Sequence, residues 1–243
     1  MRLVIDCGNT CVKVAVFADK DTLLCLHKWE KPTGNQFEEV LQAYAIQSAI
    51  VCSVVPVKDE WLMVLTQNVP YVLHLNHHTP LPIVNGYKTP HTLGYDRLAV
   101  VAGAHALHPN TPALVIDAGT AITYELLTED GVYRGGNIAP GATMRLQAMH
   151  HFTHKLPLLS LQEMTHQLMG NDTQSAMLMG VIQGIVFEIE GYIAALKEKY
   201  PNLLIFLTGG DAFFFESRLK SSIFVSPNLL LLGLHSILEY NEC

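Results

Sequence analysis

Two hexapeptides set 111 residues apart constrain this chain more than any other feature. Leu3-Val4-Ile5-Asp6-Cys7-Gly8 and Leu114-Val115-Ile116-Asp117-Ala118-Gly119 share five of six residues. Each is an apolar run that ends in Asp-x-Gly, and each continues into threonine, as Asn9-Thr10 in the first copy and Thr120 in the second. An uninterrupted apolar run closed by a turn residue reads as a strand buried on both faces. Two such strands, each delivering an aspartate and a tight glycine turn, imply a duplicated domain with a polyanion site between its halves. The 243 residues suffice for two ordinary lobes. The repeat places them at 1–110 and 111–243, in an α/β fold with the active-site cleft between them.

The pattern of each half supports the duplication. Residues 2–7, 12–18 and 22–29 read as three antiparallel strands, with Val12, Val14 and Val16 on one face. A helix is expected over 36–46, a buried strand over 49–54 and a helix over 57–67. Residues 70–93 form the longest irregular segment, and such segments often carry function. A helix follows from about 96 to 107. The second half repeats the scheme, with strands over 113–118, 121–128 and 131–135. A loop over 135–141 then opens a helix at 141–152. A long helix is expected over 173–199, capped by Asp172 or Thr173, then a strand over 203–207 and short helices over 211–219 and 228–240.

Composition narrows the function classes. With 49% apolar and 15% charged residues a sizeable core is expected. The net charge of −7 argues against a nucleic-acid surface, which needs a basic stripe. It leaves phosphate ligands open, because glycine-loop amides bind phosphate without net positive charge. No run reads as a membrane span, and Asp6 breaks any leader pattern, so the expectation is a cytoplasmic protein. The five cysteines are an odd number and read as reduced thiols. The adjacent pairs His77-His78 and His150-His151 point in different directions on either a helix or a strand and read as surface or loop histidines.

Four motifs carry the chemistry. In Asp6-x-Gly8-Asn9-Thr10 with Lys13, glycine admits phosphate oxygens close to the backbone. Threonine, asparagine and lysine add donors, and an acid among them makes sense as a holder of Mg²⁺ through water. Asp117-Ala118-Gly119-Thr120-Ala121 reads as a matching clamp, with Asp117 a candidate ligand for a metal or monovalent ion. For both motifs the alternative is a plain hairpin turn. Thr208-Gly209-Gly210-Asp211 ends an apolar strand and could lay a nucleobase or ribose against the backbone, or simply open a helix. Gly94-Tyr95-Asp96-Arg97 starts a helix. Asp96 and Arg97 are there either a surface cap and ion pair, or a proton acceptor beside a bidentate carboxylate clamp. Neither a Walker loop nor Gly-x-Gly-x-x-Gly is present.

Taken in order, these segments resemble the type III pantothenate kinases, members of the acetate and sugar kinase, Hsp70 and actin superfamily. Asp6-x-Gly8-Asn9-Thr10-x-x-Lys13 is similar to that family's first phosphate motif, and Gly94-Tyr95-Asp96-Arg97 to its Gly-x-Asp-Arg motif. Asp117-Ala118-Gly119-Thr120-Ala121 is similar to its second phosphate motif, and Gly135-Gly136-x-Ile138-x-Pro140-Gly141 to the loop that follows. The resemblance spans essentially the whole chain. It implies two ribonuclease H-like lobes, each a mixed sheet flanked by helices. The implied reaction is ATP-dependent phosphorylation of pantothenate to 4′-phosphopantothenate, with Asp96 as the general base.

By the same resemblance Asp6, Cys7, Gly8, Asn9, Thr10, Cys11, Val12, Lys13 and Thr120 would contact ATP. Gly94, Tyr95, Asp96 and Arg97 would bind pantothenate, with Arg97 near its carboxylate and Tyr87 and Thr173 contributing. Thr173 would reach the substrate from the neighbouring subunit of a homodimer. Asp117 would bind an activating K⁺ or NH₄⁺, and Mg²⁺ would accompany ATP. The expected partners are ATP, pantothenate and a second copy of the chain, with no nucleic acid and no membrane. Two rival readings stay open: a kinase for another small hydroxy acid or sugar, and a non-catalytic transcriptional accessory factor, against which the acidic charge counts.

Overall fold

The structure is a computed structural model that describes residues 1–8, 11–19, 22–53, 60–161 and 167–242. Its chain groups into two compact units. The first comprises Met1–Pro109, Gly131–Tyr133 and Asn228–Cys243, and the second comprises Asn110–Asp130 and Arg134–Pro227.

The first unit is built on β1 (Arg2–Cys7), β2 (Val12–Phe17), β3 (Leu23–Trp29), β4 (Ser48–Ser53) and β5 (Tyr71–His74), in the order β3-β2-β1-β4-β5. The first three strands are an antiparallel meander, and β4 and β5 continue in parallel. Helices α1 (Gly34–Ala43) and α2 (Glu60–Asn68) make the crossovers. Thr33 and Gln36 form a capping box that starts α1. Leu3, Ile5, Val14, Val16, Ala49 and Val51 share one sheet face, by the two-residue alternation of strands. They bury against Phe37 and Val40 of α1 and Trp61 and Leu65 of α2. The Phe37 and Trp61 rings stack at 4.6 Å, a large apolar contact worth about 2–3 kcal/mol per ring buried. The opposite face, with Val4, Asp6, Lys13, Ala15, Ile50 and Cys52, lies on the side of α3 (Tyr95–Leu107) and α7 (Leu229–Asn241). Those two helices approach at glycines: a Cβ on Gly233 would meet the Ala99 carbonyl, and one on Gly103 the Leu229 carbonyl.

The second unit repeats this topology. Strands β7 (Ala113–Ala118), β8 (Ala121–Leu127), β9 (Val132–Pro140), β10 (Leu204–Thr208) and β11 (Phe224–Val225) take the order β11-β10-β7-β8-β9. Again there is a meander, and again a parallel pair follows. Two-residue β6 (Val84–Asn85) pairs in parallel with the first residues of β9. Helices α4 (Ala142–Phe152), α5 (Thr173–Lys199) and α6 (Ala212–Glu216) cover one sheet face, where Leu114, Ile116, Ile122, Ile205 and Leu207 meet Leu146, Ile182, Ile185, Ile189 and Phe215.

Most elements fall where the pattern puts them, with three differences. The segment over 135–141 was expected to be a loop, and the third strand was expected to stop at 135. Instead β9 runs to Pro140. Gly136 serves close strand packing: a Cβ there would strike the Tyr124 carbonyl and the Glu125 carboxylate. Within 70–93 there are β5, β6 and a 3₁₀ turn over Pro90–Thr92. Finally, α5 does meet the length and composition of a membrane span, contrary to the sequence reading. Half of its apolar window is buried inside the protein, chiefly in the core of the second unit, which accounts for its composition. Among the described residues Cys11, Cys25 and Cys52 are free thiols.

Candidate active site

Asp6 is the fifth of the six residues of β1. It pairs with Lys13 on β2 and with Cys52 on β4, so the three side chains share a face. Asp6 is only 7% exposed, and Lys13 Nζ lies 3.8 Å from its Oδ2. Burial pushes the Asp6 carboxyl up from 3.8 to about 6, Lys13 opposes the rise, and the Asp96 carboxylate adds to it. Burial also drives the Cys52 thiol far above its ordinary range, and Asp6, Asp96 and Cys7 reinforce this. The Asp96 carboxylate, 90 positions away in sequence, thus lies close enough to act on Asp6. The Gly8 amide donates to the Cys11 carbonyl at 3.2 Å and closes the turn. Asn9 and Thr10 lie outside the described residues.

Gly94 caps α3 without any side-chain hydrogen bond, and Asp96 and Arg97 occupy its first turn. An acid there faces the positive end of the helix. Asp96 is exposed, and its Oδ1 accepts from the Arg97 amide at 2.9 Å. A Cβ on Gly94 would run into that same oxygen, so the motif glycine makes room for the aspartate carboxylate. Arg97 is buried, with its guanidinium carbon 5.5 Å from the Tyr87 ring centre. Tyr87 in turn stacks on Tyr133 at 6.0 Å and 11°. The Gly86 amide donates to the Tyr133 carbonyl at 3.0 Å, and the Tyr87 amide to Asn85 Oδ1. Tyr133 is fully buried and anchors the segment that carries Tyr87. The sequence reading found Tyr87 and Arg97 but not Tyr133, because no local pattern signals a stacking partner 46 residues away.

In the second unit Asp117 is likewise the fifth residue of a six-residue central strand. It pairs with Thr123 on β8 and Thr208 on β10. The Gly119 amide donates to the Ala121 carbonyl at 3.0 Å, and Thr120 is exposed at the tip of the turn. The N-terminus of α4 abuts this turn: the Gly141 amide donates to the Thr120 carbonyl at 3.0 Å, and a Cβ on Gly141 would collide with the Gly119 and Thr120 carbonyls. Gly141 caps α4 without a side-chain bond, which leaves the first-turn amides of the helix without a side-chain acceptor at the cap. Arg145 stiffens the junction. Its Nε donates to the Pro140 carbonyl at 2.8 Å and its Nη2 to Glu188 at 2.7 Å, while the Tyr124 hydroxyl donates to the other Glu188 oxygen at 2.7 Å. Burial and that bond to Glu188 raise the Tyr124 hydroxyl well above its ordinary value. Gly209 sits at φ +95°, a conformation open to glycine, and a Cβ there would strike Asp117 Oδ1. Asp211 donates its amide to the Ala118 carbonyl at 2.9 Å, and burial raises its carboxyl.

Thr173 is the exposed first residue of α5. The Asp172 cap accepts from the Ser175 amide at 2.9 Å and its hydroxyl at 2.8 Å, and these two bonds hold its carboxyl below the usual range. Among the described residues no cluster of three or more His, Cys, Asp or Glu could hold a metal by itself. A cavity of about 730 Å³ in the second unit, bordered by the Arg134–Asp130 ion pair, contains none of the candidate residues.

Comparison with known proteins decides the family. The family model for type III pantothenate kinase matches residues 2–195. The chain belongs to the type III pantothenate kinase family. A family member from Bacteroides fragilis is 48% identical over 242 residues, covering 100% of this chain and 99% of its own. One from Cytophaga hutchinsonii is 41% identical, covering 99% and 100%. Solved structures show the same fold at low identity. A protein from Campylobacter jejuni assigned to the Baf family of transcriptional activators has a TM-score of 0.62 at 19% identity, over 99% of this chain and 98% of its own. The ROK hexokinase of Thermus thermophilus has a TM-score of 0.58 at 12% identity, over 99% of each chain. The mixed α/β architecture with two helix-flanked sheets is thus shared with these solved structures.

Proposed function

We propose that the chain transfers the γ-phosphoryl group of ATP to the hydroxyl of pantothenate, yielding 4′-phosphopantothenate and ADP in the first step of coenzyme A biosynthesis. Family membership supplies the substrate pair. The observation that carries the site assignment is the buried Asp6 carboxylate with Lys13 Nζ 3.8 Å away, within reach of the Asp96 charge. Two acids with one lysine suit a site where further positive charge arrives with a triphosphate.

In this reading residues Asp6 to Lys13 and Thr120 contact ATP. Arg97, braced by Tyr87, takes the pantothenate carboxylate in bidentate fashion. Gly94 and Tyr95 line the substrate, and Thr173 reaches it from the partner subunit of a homodimer. Asp96 orients the alcohol and accepts its proton. The alcohol oxygen forms its bond to the γ-phosphorus as the bond from that phosphorus to the bridging oxygen breaks, and ADP leaves. A divalent cation, taken as Mg²⁺, would supply charge neutralisation to the triphosphate, and Asp6 would hold it through water. Asp117 would hold K⁺ or NH₄⁺. The halves of the duplication are residues 1–110 and 111–243, although Gly131–Tyr133 and the closing segment Asn228–Cys243 group with the first unit, and the enzyme works in the cytoplasm.

The test is ATP-dependent formation of 4′-phosphopantothenate by purified protein, with and without potassium, beside a panel of other hydroxy acids and sugars. Turnover of pantothenate above every other alcohol is expected. Turnover of a sugar with pantothenate inert would overturn the substrate assignment. The accessory-factor reading has in its favour only a fold likeness at 19% identity, and the kinase reading is preferred.

A further inference from the structure

Asp6 and Asp117 hold the same place in their sheets, and so do the residues across from them: Lys13 beside Asp6, Thr123 beside Asp117. Directly opposed residues of antiparallel strands project to one face with Cβ atoms roughly 5 Å apart. In the first unit this brings an ammonium to 3.8 Å from the carboxylate. In the second the counterpart is a neutral hydroxyl. Thr123 Oγ1 is buried and has no hydrogen-bond partner among the described residues. Buried hydroxyls without partners are uncommon, because water bonds are given up and nothing replaces them. The strand on the other side of Asp117 presents a second threonine, buried Thr208. Carboxylate and hydroxyl oxygens together are a donor set for a hard cation.

We infer that Thr123 Oγ1 is a second protein ligand, beside the Asp117 carboxylate, for the activating monovalent cation. The bound ion fills in the second lobe the role of the Lys13 ammonium in the first. One half of the duplication carries its positive charge on a side chain, and the other half borrows it from solution. On this inference ammonium, the head group of lysine, should serve in place of potassium. The inference rests on the assignment of the cation to Asp117.

Thr123→Val removes the oxygen at nearly constant shape, and Thr123→Ser keeps it. Thermal stability is titrated with KCl against tetramethylammonium chloride at equal ionic strength, without ATP or pantothenate, and the activation constant for potassium is measured beside it. Wild type should be stabilised by potassium. Thr123→Val should lose most of that response and need at least about tenfold more potassium for activation, with Thr123→Ser close to wild type. A wild-type potassium titration in Thr123→Val overturns the inference. A response lost in Asp117→Asn but kept in Thr123→Val sinks the role of Thr123 alone. No potassium response in wild type sinks the Asp117 assignment and this inference with it. Should the valine variant fail to fold, Thr123→Ala gives the same readings.

Discussion

Asp6 and Asp117 each stand fifth in a six-residue central strand, with a meander on one side and parallel strands on the other, yet their surroundings differ in charge and in packing. Beside Asp6 are a lysine, a cysteine and the field of Asp96. Beside Asp117 are two threonines and a left-handed glycine. At Gly8, before the turn, the nearest neighbour a Cβ would meet among the described residues is the Cys11 carbonyl, at 3.3 Å. The turn after Asp117 is clamped from behind by Gly141 and α4. Duplication thus preserved a strand that delivers an acid. The first copy sets that acid beside a charged lysine, and the second sets it in a neutral surround with a closely packed turn.

The packing half of this contrast predicts the largest effect. Gly141→Val should cost about 3 kcal/mol or more, because its side chain has no room beside the Gly119 and Thr120 carbonyls. A denaturation midpoint near wild type would show that the second turn is not clamped.

The charge half is tested by pH. The folded Asp6 carboxyl titrates near 6, above its unfolded value of 3.8. Its contribution to stability is therefore fully present below the lower value and is lost as pH rises through the upper one. Over that window wild type should lose on the order of 3 kcal/mol relative to Asp6→Asn. Parallel stability curves for the two proteins would contradict the buried, repelled carboxyl.

Lys13→Met should lower kcat/KM for ATP about tenfold and leave potassium activation unchanged, since charged contacts to phosphate are worth roughly that much. An unchanged kcat/KM would remove Lys13 from the phosphate site. Smallest is Gly8→Ala, which should cost less than about 1 kcal/mol in urea denaturation. A loss as large as that of Gly141→Val would erase the contrast between the turns.

Much of this was legible in the chain. Apolar runs, glycine turns and the Asp172 cap are local signals, and α5 starts and ends where they put it. The hairpins around Asp6 and Asp117 follow from the repeat itself. The rest depends on contacts distant in sequence. Gly135 and Gly136 look like loop residues, but β8 packs so closely that β9 needs Gly136, and Gly135 takes a φ of 103° open to glycine. The last sixteen residues, Asn228–Cys243, group with the first unit because α7 fits α3 at Gly103 and Gly233. The hydrophobic pattern says which face of α7 is apolar and not which sheet it covers. Tyr133 and Thr123 acquire meaning only from their neighbours across strands.

The most direct test of the account is Asp96→Asn, assayed for ATP-dependent phosphorylation of pantothenate. Turnover should fall at least about a hundredfold, with thermal stability and the KM for both substrates close to wild type, because the amide keeps the shape and loses the proton acceptor. Near-normal turnover in that variant would contradict the account.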